Sequence, residues 1–266
     1  MSVPRGSAEL WALGDYPAIA DRFADVAGDL VAAACCTDAD VLDVATGAGA
    51  VAIEAVRAGG RATGLDVTPE LLTAAATRAE AAGVEVRWVR ADMTAMPEPD
   101  AGYDRVLSSF GAMFAPDPPA MVAELLRVCR PGGLVALTAW TPDGVFGRTP
   151  ELYGRFLPPE LAPGPGCERW GDPRWVGELF TAAGAVPTTQ RRTTRLRWNS
   201  LAEAVPDFER STPGAVAVHR MIAESTGRSA EASAAVHELF AEYGAETSDG
   251  FVLDADYLVV IAQRPS

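Results

Sequence analysis

The chain has 266 residues, 48% of them apolar, and a formal net charge of −14. That apolar content can fill a full core, as one large domain or a domain with a cap. The acidic balance argues against a phosphate-backbone partner, and no apolar run is long enough for a membrane span.

Lysine is absent, and all 22 cations are arginine. This excludes a Walker lysine, a Schiff-base or pyridoxal-phosphate lysine, and the Tyr–Lys pair of short-chain dehydrogenases. The four cysteines show no CxxC spacing, and Cys35 and Cys36 are adjacent, which suits neither a zinc knuckle nor a disulfide framework. The opening MSVPRGSAEL has no apolar segment of the signal-peptide kind. A reduced, cytoplasmic setting is therefore expected.

In chain order, AIADRFADVAGDLVAAA (18–34) places apolar residues at helical spacing and predicts a leading helix. An apolar strand follows at 41–45, then a glycine turn and a helix at about 49–58. RATGLDV is a second strand ending at Asp66, and Pro69 opens a helix that Gly83 closes. VEVRWVR, ending before Asp92, and YDRVLSSF are the third and fourth strands. PPAMVAELLRVCR is a helix closed by PGG, and LVALTAW is the fifth strand. Strands and helices alternate, so a parallel sheet with helices on both faces is expected. Residues 141–171 are rich in Pro and Gly and read as an excursion from the sheet. DPRWVGELFTAAG is a further helix and TTQRRTTRLRW a strand. Its Arg191, Arg192, Arg195 and Arg197 divide between both strand faces, as on a solvated edge rather than a nucleic-acid patch. Residues 201–247 read as helices, and GFVLDADYLVVIAQRP is a closing strand.

The chemistry concentrates in VLDVATGAGAVAIEAV (41–56). Gly47 and Gly49 allow a tight turn and close ligand approach, and the following helix aims unpaired N–H groups at an anion. Gly47, Gly49 and Ala52 satisfy G-x-G-x-x-G/A, with Asp66 17 residues beyond the second glycine, where a ribose-binding acid belongs. Taken alone, that pattern fits an NAD(P)-dependent oxidoreductase as well as a methyltransferase. Three features shift the balance. Asp43 lies inside the first strand, where a buried carboxylate needs partners or a nearby cation. Asp92 and Met93 close the third strand, where an acid accepts from an adenine amino group and a thioether covers the ring. RPGGLVALTAW supplies a tight turn into the fifth strand.

Together VLDVATGAG, GLDVTPELL, RADMTAMP, YDRVLSSFGAMFAPD and LLRVCRPGG resemble the successive motifs of class I S-adenosylmethionine-dependent methyltransferases. They are most similar to the branch of ubiquinone/menaquinone-biosynthesis C-methyltransferases. The resemblance covers about residues 10–140, and the remainder more loosely. It implies a Rossmann-like, doubly wound, mostly parallel seven-stranded sheet with helices on both faces and a helical cap. The implied divisions are a lid (1–36), a cofactor-binding core (37–140), an excursion with a late core helix and strand (141–200), a helical cap (201–250) and a terminal core strand (251–266).

By the same resemblance, Gly47, Ala48 and Gly49 pass beneath the methionine part of S-adenosylmethionine, whose product is S-adenosylhomocysteine. Asp66 holds the ribose, Val67 the adenine, Asp92 and Met93 the adenine edge and face. Ser109 lines the methionine end, Asp43 organises it, and Tyr16 closes over the cofactor. Ala45 stands where the family more commonly has glycine. Phe110, Met113, Trp140 and Tyr153 are candidates to shape a pocket for a small hydrophobic or aromatic acceptor in secondary metabolism. Only His219 and His237 could be neutral-pH bases, with His219 the better placed. No clustered ligand set suggests a metal. Besides methyl transfer to O, N or C, a non-methylating step such as cyclisation on the same cofactor scaffold fits the sequence.

Overall fold

The computed structural model describes residues 7–162 and 166–266. The first six residues, part of the expected lid, lie outside them. Five parallel strands form the heart of the sheet: β1 Asp40–Val44, β2 Arg61–Asp66, β3 Arg87–Arg90, β4 Tyr103–Ser109 and β5 Cys129–Trp140. β6 Pro187–Trp198 and β8 Gly250–Gln263 complete it in the order β3-β2-β1-β4-β5-β8-β6, with β8 antiparallel to both neighbours. The seven-stranded path is thus as expected. Residues 244–247, expected to be helical, instead form a short strand, β7 Gly244–Thr247, on the first residues of β8.

The strand order reverses between β1 and β4, so the carboxyl ends of β1, β2 and β4 flank a crevice. β1 carries its apolar residues fully buried, with Val41, Leu42 and Val44 at 0% exposure. Each contributes about 1.5–3 kcal/mol by leaving water. α3 Ala24–Ala34 and α4 Ala50–Arg57 cover one sheet face, and α6 Pro118–Val128 and α8 Pro173–Ala182 cover the other. α5 Pro69–Ala81 follows β2.

The expected leading helix is broken. α1 Ser7–Trp11 and α2 Tyr16–Ala20 precede a single 3-10 turn at Asp21–Phe23, before α3 begins. That turn lets Asp21 pair with Arg78 on α5 while Arg22 pairs with Asp207, 2.9 Å away on the cap. The cap comprises α9 Leu201–Ser211, α10 Pro213–Ser225 and α11 Ser229–Tyr243. It shares a third core with α7 Val145–Gly154 of the Pro- and Gly-rich excursion and with Ile19 of α2. The first residues of β8 pair with both β6 and β7, so the cap grows from an extension of the sheet. Among the described residues, no helix is long and apolar enough to cross a membrane.

Candidate functional site

A cavity of about 650 Å³ opens at the carboxyl ends of β1 to β4, within the size range of cofactor and ligand sites. Its floor is the turn after β1. Asp43, 1% exposed, accepts hydrogen bonds from the Thr46 hydroxyl and, at 3.1 Å, from the Ala52 N–H, so it ties the loop to the start of α4. Burial pushes its carboxyl up to about 7 against those bonds, helped by the nearby Asp66. Its Oδ1 is buried without a partner.

Asp66 closes β2 on the cavity wall. Its two oxygens accept from the N–H groups of Gly47 and Thr68, each at 2.9 Å. Burial raises this carboxyl too, and the two N–H bonds oppose the rise. The acid that ends the second strand therefore also braces the first turn. Val67 and Leu71 continue this wall. Beyond β3, Met93 and Asp92 face the cavity, and Asp92 accepts from both the N–H and the hydroxyl of Thr94.

The two turn glycines do different work. A Cβ on Gly47 would lie 2.8 Å from the Tyr16 ring, so glycine here lets the lid tyrosine settle on the loop. Burial, with Asp66 and Asp43 nearby, pushes the Tyr16 phenol up to about 12. Gly49 faces inward: its missing Cβ leaves room for Trp88 and Ala75, so it serves helix–strand packing. Ala48 is buried at 2% exposure, and neither it nor Gly49 lines the cavity. Ala45, the departure from the commoner glycine, sits at φ +55°. Its methyl occupies the space a side chain on Gly111 would need, 2.5 Å from that position.

The strand-end acids, Gly47, Val67, Met93, Tyr16 and Phe110 thus share one cavity. Other expected residues lie elsewhere. Ser109 sits 3.1 Å from the Thr138 hydroxyl, off the cavity wall. Its neighbour Ser108 donates to the Val44 carbonyl and accepts from the Ala112 N–H, locking the β4 turn to β1. Met113 is core at 3% exposure. Trp140 stacks on Phe110, ring centroids 3.7 Å apart, away from the cavity lining. Tyr153 is buried in the cap core, its ring edge-on to His219 at 5.2 Å. Its phenol is pushed far up by burial and has no hydrogen-bond partner.

His219 lies 3.0 Å from Glu209, which also accepts from Ser233; the imidazole binds cap helices together and does not line the cavity. His237 is exposed on α11. Among the described residues, no group of three or more His, Cys, Asp or Glu is arranged to hold a metal.

The sequence led to a lid and a cap in these regions but not to the side chains that line the cavity from them, Leu10 and Trp11 of α1 and Gly214, Ala217, Val218 and Met221 of α10. The α10 positions have helical spacing, a signal present in the sequence. Nothing in that periodicity distinguishes a stripe that packs on core from one that faces a cavity.

A methyltransferase-domain family model matches residues 41–133, which hold β1 to β4, α6 and the β5 turn. An uncharacterized protein of Mycobacterium tuberculosis is 36% identical over 259 residues, 96% of this chain and 93% of that protein. The demethylmenaquinone methyltransferase of Thermus thermophilus is 37% identical over 123 residues, 44% of this chain and 56% of that enzyme. A crystal structure of a methyltransferase candidate from Bacillus halodurans shares the fold with a TM-score of 0.63 at 19% identity, covering 91% of this chain and all of that one. The glycine turn that fits two cofactor classes is therefore part of a methyltransferase domain, and the chain belongs to the class I S-adenosylmethionine-dependent methyltransferases.

Proposed function

We propose that the strand-end cavity holds S-adenosylmethionine and that the chain directs its methyl group to a small-molecule acceptor. The observation that carries this is the convergence of Asp66, Asp92 and the Gly47 turn on one cavity. The residues fit the cofactor's parts. Each Asp66 oxygen already takes one N–H, and a carboxylate oxygen has a second lone pair free for a ribose hydroxyl. Val67, Leu71 and Met93 offer apolar surface to a flat adenine, and Asp92 offers an acceptor at its edge. Asp43, with an orphaned oxygen under the turn, is poised to favour a cation near the loop.

The cofactor supplies an activated methyl on a sulfonium. The chain's task is to hold the acceptor in line with that methyl and keep water out, worth on the order of 7–11 kcal/mol at best. The Tyr16 phenol, at about 12, keeps its proton at neutral pH and acts there as a donor. Incubation with methyl-labelled cofactor and a small-molecule extract tests the assignment. The expected result is label in an acceptor product. Conversion of an acceptor in the presence of the cofactor without label in the product would overturn methyl transfer.

A further inference from the structure

The part of the cavity lined from α1 and α10 has its own chemistry. Leu10 and Trp11 of the lid, Phe114 after β4, and Ala217, Val218 and Met221 of α10 face the cavity together. Phe114 is 41% exposed, one of three large hydrophobic side chains left so among the described residues. It stands edge-on to Trp11 at 4.7 Å, and Trp11 edge-on to Tyr16 at 5.9 Å. Because the Tyr16 ring rests over Gly47, these three rings form an aromatic path from the rim to the turn.

Among the described residues, the ionisable groups lining the cavity are Tyr16, Asp66 and Asp92, and none stands on the lid-and-cap wall beyond Tyr16. His219, one residue beyond Val218, points instead to Glu209. A charge seated on that wall would lose its hydration and meet no counter-charge. An apolar ring would bury surface there and meet aromatic edges, a favoured geometry.

We infer that α1 and α10 together form the acceptor subsite and that its occupant is an uncharged, apolar ring system. The wall offers such an occupant contact and no base. This deepens the proposed function and rests on the strand-end wall being the cofactor side. It also moves the acceptor away from Met113, Trp140 and Tyr153, which the sequence suggested, since these do not line the cavity.

Calorimetric titration of the protein, saturated with S-adenosylhomocysteine, tests it with three probes: 2-naphthol, 2-naphthalenesulfonate and 2-naphthylmethylammonium. The expected result is saturable binding of the naphthol, with both charged probes weaker by about tenfold or more. Val218→Glu and Met221→Glu are each expected to weaken the naphthol by about tenfold or more, with circular dichroism showing that each variant folds. Two variants guard against one that fails to fold. Absence of saturable naphthol binding, equal binding of a charged probe, or unchanged naphthol affinity in both folded variants would overturn the subsite. Failure of S-adenosylhomocysteine to bind is a separate result that removes the cofactor assignment. The naphthol series, run without it, then still decides the subsite.

Discussion

Asp43 is a carboxyl whose surroundings set its protonation. Its folded value of about 7 lies above the ordinary 3.8 because burial disfavours the charge. Between those values the native state holds a proton that the unfolded chain has lost. Stability therefore falls as pH rises from about 4 towards 7, by up to about 1.4 kcal/mol per pH unit, and this loss is complete above the folded value. Asp43→Asn cannot titrate, so its stability relative to the parent should improve between pH 5 and pH 8. Urea unfolding at the two pH values checks this, and an equal difference at both would count against it. A second test concerns Ala45 and Gly111, whose close approach lets either carry a methyl but not both without movement. Gly111→Ala should destabilise, and adding Ala45→Gly should recover part of the loss. A coupling of about 1 kcal/mol is expected in a double-mutant cycle by denaturation.

At the scale of elements, the excursion holds its place by close backbone approach. A Cβ on Gly171 would lie 1.9 Å from the Trp140 carbonyl oxygen, and one on Gly147 2.0 Å from that of Thr141. Gly171→Ala should therefore cost about 1–3 kcal/mol in chemical denaturation, through displacement of the segment from the end of β5. Wild-type stability in this variant would show that the segment moves freely. The core strands were legible because their apolar runs and bounding glycines obey local rules. The broken leading helix was not: Asp21 and Arg22 each answer to a partner more than fifty residues away, Arg78 and Asp207. Likewise β7 depends on pairing with β8, and its sequence GAET carries no strand pattern of its own.

At the scale of the molecule, the site is assembled where the sheet order reverses and is then covered from two sides. That Asp66, Asp92 and Gly47 meet at one cavity was legible, because each ends a strand, lies just past one or opens a turn in a fixed motif order. That Ser109, Trp140 and Tyr153 stand off the cavity lining was not legible, because sequence spacing does not say which way a side chain turns at a strand end or on a helix. The apolar wall was missed because it joins α1 to α10 across two hundred residues. The central claim is that these strand ends grip an adenosyl group through two carboxylates. Isothermal titration with S-adenosylhomocysteine, for the parent, Asp66→Ala and Asp92→Ala, tests it most directly. The account predicts saturable binding to the parent and a loss of about tenfold or more in each folded variant, from hydrogen bonds to a charged group. Affinity equal to the parent's in both variants, or saturable NAD(P) binding to a parent that does not bind S-adenosylhomocysteine, would contradict it.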